Sequence, residues 1–125
     1  SLCYPLVKKR WYAKLQCKAL HIRDSLFEDY FRDSSQIKKD DMIAFLKANA
    51  AYTVKDSLSH CCAKTLILVG GKEREIMKKS AKLLKETIQG SVLEEMPGYY
   101  HGDFSLNHPQ EFSYKLLDWI SDRTQ

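Results

Sequence analysis

Over the first sixty positions the apolar residues recur three or four apart and never alternate one by one, so the pattern is helical. Val7, Trp11, Leu15 and Ala19 fall at i, i+4 spacing, which predicts an amphipathic helix near residues 6 to 20 with its lysines on the wet face. In "SLFEDYFRDS", Leu26, Phe27, Tyr30 and Phe31 share one side of a second, short helix. Ser35 then precedes "QIKKDDMIAFLKANAAY", where Met42, Phe45, Leu46 and Asn49 make one face and Asp40 and Asp41 lie near the positive helix start. The aromatic stripe of Trp11, Phe27, Phe31 and Phe45 reads as core. A helical unit over residues 1–60 is predicted.

The pattern changes at Cys61. "TLILV", residues 65–69, is a continuous apolar, β-rich run stopped by Gly70-Gly71, the signature of a strand buried on both faces. "EREIMKKSAKLLKETIQG" repeats apolar residues at Met77, Ala81, Leu84 and Ile88 and stops at Gly90, a helix with a glycine end signal. "SVLEEMPG" predicts a second strand ending at Pro97-Gly98, followed by a loop. Pro109 then suits the first turn of a last helix whose buried stripe is Phe112, Leu116, Trp119 and Ile120. Two strands joined by a helix of this length make a parallel βαβ unit.

Composition narrows the class. The 125 residues are 44% hydrophobic and 29% charged, ordinary for a soluble globular domain, and no apolar run approaches the roughly 20 residues needed to span a bilayer. Up to His60 there are 11 Lys+Arg against 7 Asp+Glu, and from Cys61 onward 9 against 9, so the whole net charge of +4 belongs to the first half. That asymmetry also divides the chain in two. "KKRWYAKLQCK" has the basic and aromatic content of a nucleic-acid surface, whose affinity would fall steeply with salt, but a lysine-faced amphipathic helix accounts for the same residues, and nucleic acid is not an expected partner.

Cys3, Cys17, Cys61 and Cys62 follow no metal or redox spacing, and Cys61 and Cys62, being adjacent, are badly placed to bridge each other. Adding His60 to them gives three neighbouring ligands that cannot surround one ion tetrahedrally. Reduced thiols, a cytoplasmic location, and no metal or cofactor are expected. The chain starts with Ser1, and "SLCYPLVKKRW" lacks the order of a signal peptide, so sequence upstream of it is expected.

The chemistry-bearing residues gather where the strands end. In open α/β sheets ligands bind beyond the carboxyl ends of the strands. "GGKERE" after the first strand brings Glu73 and Glu75, and "GYYHGD" after the second brings His101. Parallel strands put both loops at one edge, where a carboxylate can orient an imidazole and stabilise its cation. His108 reads as a turn residue before Pro109, and His21 and His60 as structural.

"KTLILVGGKERE" followed by "GSVLEEMPGYYHGDFSLNHPQEFSYKLLDWI" resembles the last third of an α/β-hydrolase, over roughly residues 61–122. The resemblance implies an α/β fold in which residues 61–125 are the C-terminal βαβα part of a hydrolase core and residues 1–60 a helical cap. It makes His101 the base and Glu73 the acid, standing where the family more often has Asp in a Gly-x-x-Asp turn, with Glu75 a competitor for that role. The chain has no Gly-x-Ser-x-Gly, and Ser57, Ser59 and Ser105 lack the strand-to-helix glycine setting of a nucleophile. The function implied is that of a C-terminal piece of a serine hydrolase, esterase- or lipase-like and acting on a small ester or related acyl substrate, whose nucleophile lies elsewhere. The alternative is a binding domain that keeps the scaffold without the chemistry. Two strands with open edges need cover, so "TLILV" or "SVLEEM" is expected to pair in a homodimer or with a missing N-terminal half.

Overall fold

The structure is a computed structural model and describes residues 4–121; Cys3 lies outside them. The chain divides into two compact units, Ser1–Thr53 and Val54–Gln125.

The first unit is helical: α1 (Tyr4–Val7), α2 (Arg10–Ala19), α3 (Phe27–Gln36) and α4 (Lys39–Ala51), with a 3-10 turn at Asp24–Leu26. The single helix expected from residue 6 to 20 is interrupted at Lys8 and Lys9, where Lys9 is extended with φ −104° and ψ 124°. The interruption changes which face of α2 is buried. Ala13 and Cys17 close on Phe27, with Ile22, Tyr30 and Phe31 packed around them, whereas Trp11 and Leu15 are each 57% exposed and Ala19 is exposed too. Small residues at this face let α3 approach α2 closely. Arg10 then lays its guanidinium 5.1 Å from the Phe27 ring centre and 5.0 Å from that of Phe31 while pairing with Glu28. Phe27 and Phe31 stack with centroids 6.1 Å apart, but Trp11 and Phe45, expected in the same core, are both exposed. Desolvation, and then the charge of Asp24, push the Cys17 thiol above its ordinary range, so it is an inert core thiol.

Helix α3 runs through Ser35 instead of stopping before it. The Ser35 hydroxyl donates to the Arg32 carbonyl at 3.0 Å, and α4 starts after Lys38 with no side-chain cap. No residue of α4 is buried. Because Ala13 is 0% exposed, Ala13→Leu is expected to destabilise the chain by about 1–3 kcal/mol through overpacking, while Leu15→Ala changes stability by less than about 0.5 kcal/mol. Urea unfolding followed by far-ultraviolet circular dichroism checks this pair; the reverse order would restore the Trp11–Leu15 stripe.

The second unit holds β1 (Leu66–Gly70), α5 (Glu75–Thr87), β2 (Val92–Met96), α6 (Asp103–Asn107) and α7 (Pro109–Ser121). A 3-10 turn at Asp56–His60 packs on α5, which is why this unit begins before Cys61. The two strands are parallel, in register from Leu66 opposite Val92 to Gly70 opposite Met96. Neighbouring residues of a strand point to opposite faces, and β2 uses this: Glu94 meets Lys115 of α7 at 2.5 Å, Glu95 meets Lys78 of α5 at 3.4 Å. Helices therefore flank both faces of the sheet.

Burial is thinner than the apolar runs suggest. Only Val69 and Gly70 of β1 are buried, Leu66 to Leu68 are half-buried, and of the expected α7 stripe Phe112 and Trp119 are half-buried while Leu116 and Ile120 are exposed. A sheet of two strands is too narrow to cover two helices, and among the described residues each strand pairs only with the other. The loop expected after β2 contains α6, too short to produce a periodicity, which opens on Gly102 at φ +72°.

Candidate active site

The chain turns immediately after β1. The Glu73 N–H donates to the Gly70 carbonyl at 3.0 Å, and the Gly70 N–H donates to Glu73 Oε1 at 2.8 Å. This double tie folds the carboxylate back over the strand end, where its side chain is 6% exposed. A carboxylate so far from water needs its remaining oxygen satisfied.

The partner comes from the loop after β2. That loop lies on the first one through its backbone: Gly71 N–H to the Met96 carbonyl at 2.8 Å, and Lys72 N–H to the Tyr99 carbonyl at 2.9 Å. Gly70 makes the approach possible, since a Cβ there would stand 2.4 Å from the Tyr99 oxygen and 3.0 Å from that of Tyr100. Two residues on, His101 Nδ1 lies 2.8 Å from Glu73 Oε2, across 28 positions of sequence. An ionised carboxylate only accepts, so Nδ1 carries the proton and Nε2 holds the lone pair of the neutral ring. The His101 side chain is 73% exposed, and Nε2 has no hydrogen-bond partner among the described residues. The arrangement is a buried, fixed acceptor behind an accessible imidazole.

The His101 turn is also held from its own side. The Tyr100 N–H donates to Asp103 Oδ2 at 3.4 Å, and Asp103 Oδ1 accepts from the amide of buried Asn107 at 2.6 Å. Glu73 also borders a cavity of about 210 Å³ whose other lining residues include Leu68, Tyr99, Phe104 and Phe112.

The other expected residues are placed elsewhere. Glu75 opens α5 and is exposed; the residue that reaches His101 is Glu73. Ser59 and Ser105 spend their hydroxyls on carbonyls of their own turns, Asp56 at 2.6 Å and Gly102 at 3.1 Å. His108 stands between α6 and α7, its Nδ1 3.3 Å from Glu111 Oε1 and its ring 4.8 Å from that of Tyr99. His60 faces the Ser59 hydroxyl at 3.3 Å. Among the described residues no three His, Cys, Asp or Glu side chains converge as a metal site requires. Sequence reasoning missed Gly70 and Tyr99 as the contact that docks one loop on the other; the Gly70-Gly71 pair was its only local signal.

No protein-family model matches the chain, and no curated protein matches it in sequence. A solved serine hydrolase involved in carbazole degradation, the CarC enzyme, is similar in structure with a TM-score of 0.72 at 15% identity, over 92% of this chain and 48% of that one. The chain thus spans about half the length of that hydrolase, and what the two share at this identity is the fold.

Proposed function

We propose that this chain supplies the acid and the base of a serine hydrolase acting on small esters or related acyl compounds, the nucleophile and oxyanion donors coming from outside these 125 residues. The observation that carries the reading is the 2.8 Å hydrogen bond between buried Glu73 and exposed His101 at the ends of two parallel strands. In this role Nε2 of His101 takes the proton of a serine hydroxyl as that oxygen attacks the acyl carbon, then returns it to the departing alkoxide. Water repeats the sequence on the acyl-enzyme. Glu73 holds the ring in the Nδ1–H tautomer and stabilises the imidazolium formed in each half.

Two further features support an incomplete catalytic unit. The sequence contains no Gly-x-Ser-x-Gly. The strands also differ as edges: β2 carries Glu94 and Glu95, charges that discourage further pairing, whereas β1 is apolar and half-exposed along most of its length. The completing strand therefore adds along β1, supplied by the nucleophile-bearing part or, for the chain alone, by a second copy. The helical first unit serves as a cap.

Labelling with a fluorophosphonate probe tests this reading. In the whole protein the probe is expected on one serine outside residues 1–125, with labelling lost in His101→Ala. A labelled serine within these residues, or labelling indifferent to His101, would contradict it; a protein with no reactive serine would favour the binding-domain alternative.

A further inference from the structure

We propose that Tyr99 and Glu111 form a strap that positions His101 against Glu73, a role that rests on the reading of His101 as the base. The segment carrying His101 lies between Gly98 at φ +85° and Gly102 at φ +72°, two residues that resist rotation least. Its position must be set from outside. Tyr99 supplies three attachments, and each reaches a different part of the unit. Its carbonyl accepts from the N–H of Lys72, the residue preceding Glu73, at 2.9 Å. Its hydroxyl donates to Glu111 Oε2 in the first turn of α7 at 3.2 Å. Its ring packs against Phe104 at 5.3 Å and edge-on against His108 at 4.8 Å.

Glu111 closes the figure, because its other oxygen lies 3.3 Å from His108 Nδ1. One carboxylate thus ties the start of α7 to the residue two before His101 and to the turn between α6 and α7. Desolvation first, and then the hydrogen bond to Glu111, hold the Tyr99 hydroxyl above its ordinary range, so it remains a donor at neutral pH. Tyr99 spans from the acid's loop to α7 and so holds the backbone two residues before His101, whose Nδ1 meets Glu73. Tyr99 and Glu111 are positioning residues in this reading: both act through the segment that carries His101.

The test reads the His101 tautomer from imidazole nitrogen shifts in protein labelled with ¹⁵N-histidine, the signals of His21 and His60 serving as internal references. In the wild type the Nδ1–H form dominates. In Tyr99→Phe, which removes only the hydroxyl, and in Glu111→Ala, the population shifts toward the Nε2–H form that free imidazole favours, with circular dichroism unchanged. Glu111→Gln, which still offers an acceptor, restores most of the wild-type pattern. In the whole protein Tyr99→Phe lowers kcat about tenfold at unchanged KM, as loss of one orienting hydrogen bond would. A wild-type tautomer in both Tyr99→Phe and Glu111→Ala overturns the strap and leaves the acid–base pair standing. A wild type without the Nδ1–H form overturns the strap together with the pair.

Discussion

Alanine at position 101 is expected to lower kcat on short p-nitrophenyl esters by about 10⁴- to 10⁶-fold in the whole protein, with little change in thermal stability. The size follows from the role proposed for the imidazole: without a base the serine would have to ionise unaided, and the leaving alkoxide would depart unprotonated. The small stability change follows from exposure, since a side chain 73% in water contributes little packing. Removing the ring takes the partner from Glu73 Oε2, but a ring 73% exposed is replaced by water at that oxygen, and Oε1 keeps the Gly70 N–H, so the acid loop stays folded. His60→Ala is the control, its ring facing the neighbouring Ser59 hydroxyl, and is expected to change kcat by less than about twofold. Steady-state kinetics with parallel melting curves checks the pair; full kcat in His101→Ala would end the proposal.

The second large effect is expected from a single methyl group. In Gly70→Ala the new Cβ would sit 2.4 Å from the Tyr99 carbonyl oxygen and 2.9 Å from its carbon, both backbone atoms with no rotamer to escape through. The loops must part by about 1 Å, a displacement that costs on the order of 10²-fold in rate where catalytic groups are set by geometry. The same shift pulls the Tyr99 carbonyl from the Lys72 N–H and His101 from Glu73, adding about 1–3 kcal/mol of destabilisation. Gly71→Ala gives the comparison: its Cβ would be 3.3 Å from Glu95 Oε1, the Met96 oxygen and Pro97 Cα, tight but relieved by small movements. Activity and melting temperature should fall much further at position 70 than at 71. Equal, small effects would mean that the loops are not locked at Gly70.

The strands and their loops were legible in the sequence because each signal is local and strong. An apolar run ending in Gly70-Gly71, another ending in Pro97-Gly98 and a helix between them leave a parallel pair as the simple solution, and parallel strands deliver Glu73 and His101 to one edge. The choice of Glu73 over Glu75 was not legible. It depends on the turn in which the Gly70 N–H captures Oε1, and "KERE" carries no mark of that geometry. In the helical unit the pause at Lys8 and Lys9 has neither proline nor glycine to announce it, so the i, i+4 stripe through Trp11 and Leu15 looked continuous while the buried face passed to Ala13 and Cys17. Periodicity also predicted more burial than exists. A half-exposed β1 and an exposed Ile120 belong to a sheet that among the described residues has one strand pair, and an apolar run does not encode how many strands lie beside it.

A double-mutant cycle on the ester-hydrolysis rate of the whole protein tests the central claim most directly, since the claim is that Glu73 and His101 act as one device. Glu73→Gln keeps the shape but presents an amide to Nδ1, which favours the wrong tautomer and removes the charge behind the imidazolium; a loss of about 10⁴-fold in kcat is expected. His101→Ala is expected to lose at least as much. If the two residues work together, the double variant should be no slower than His101→Ala alone, because an orienting carboxylate has no function without the ring it orients. Losses that multiply in the double variant, or a Glu73→Gln protein with wild-type kcat, would show that the 2.8 Å contact joins two residues with separate roles and would contradict the account.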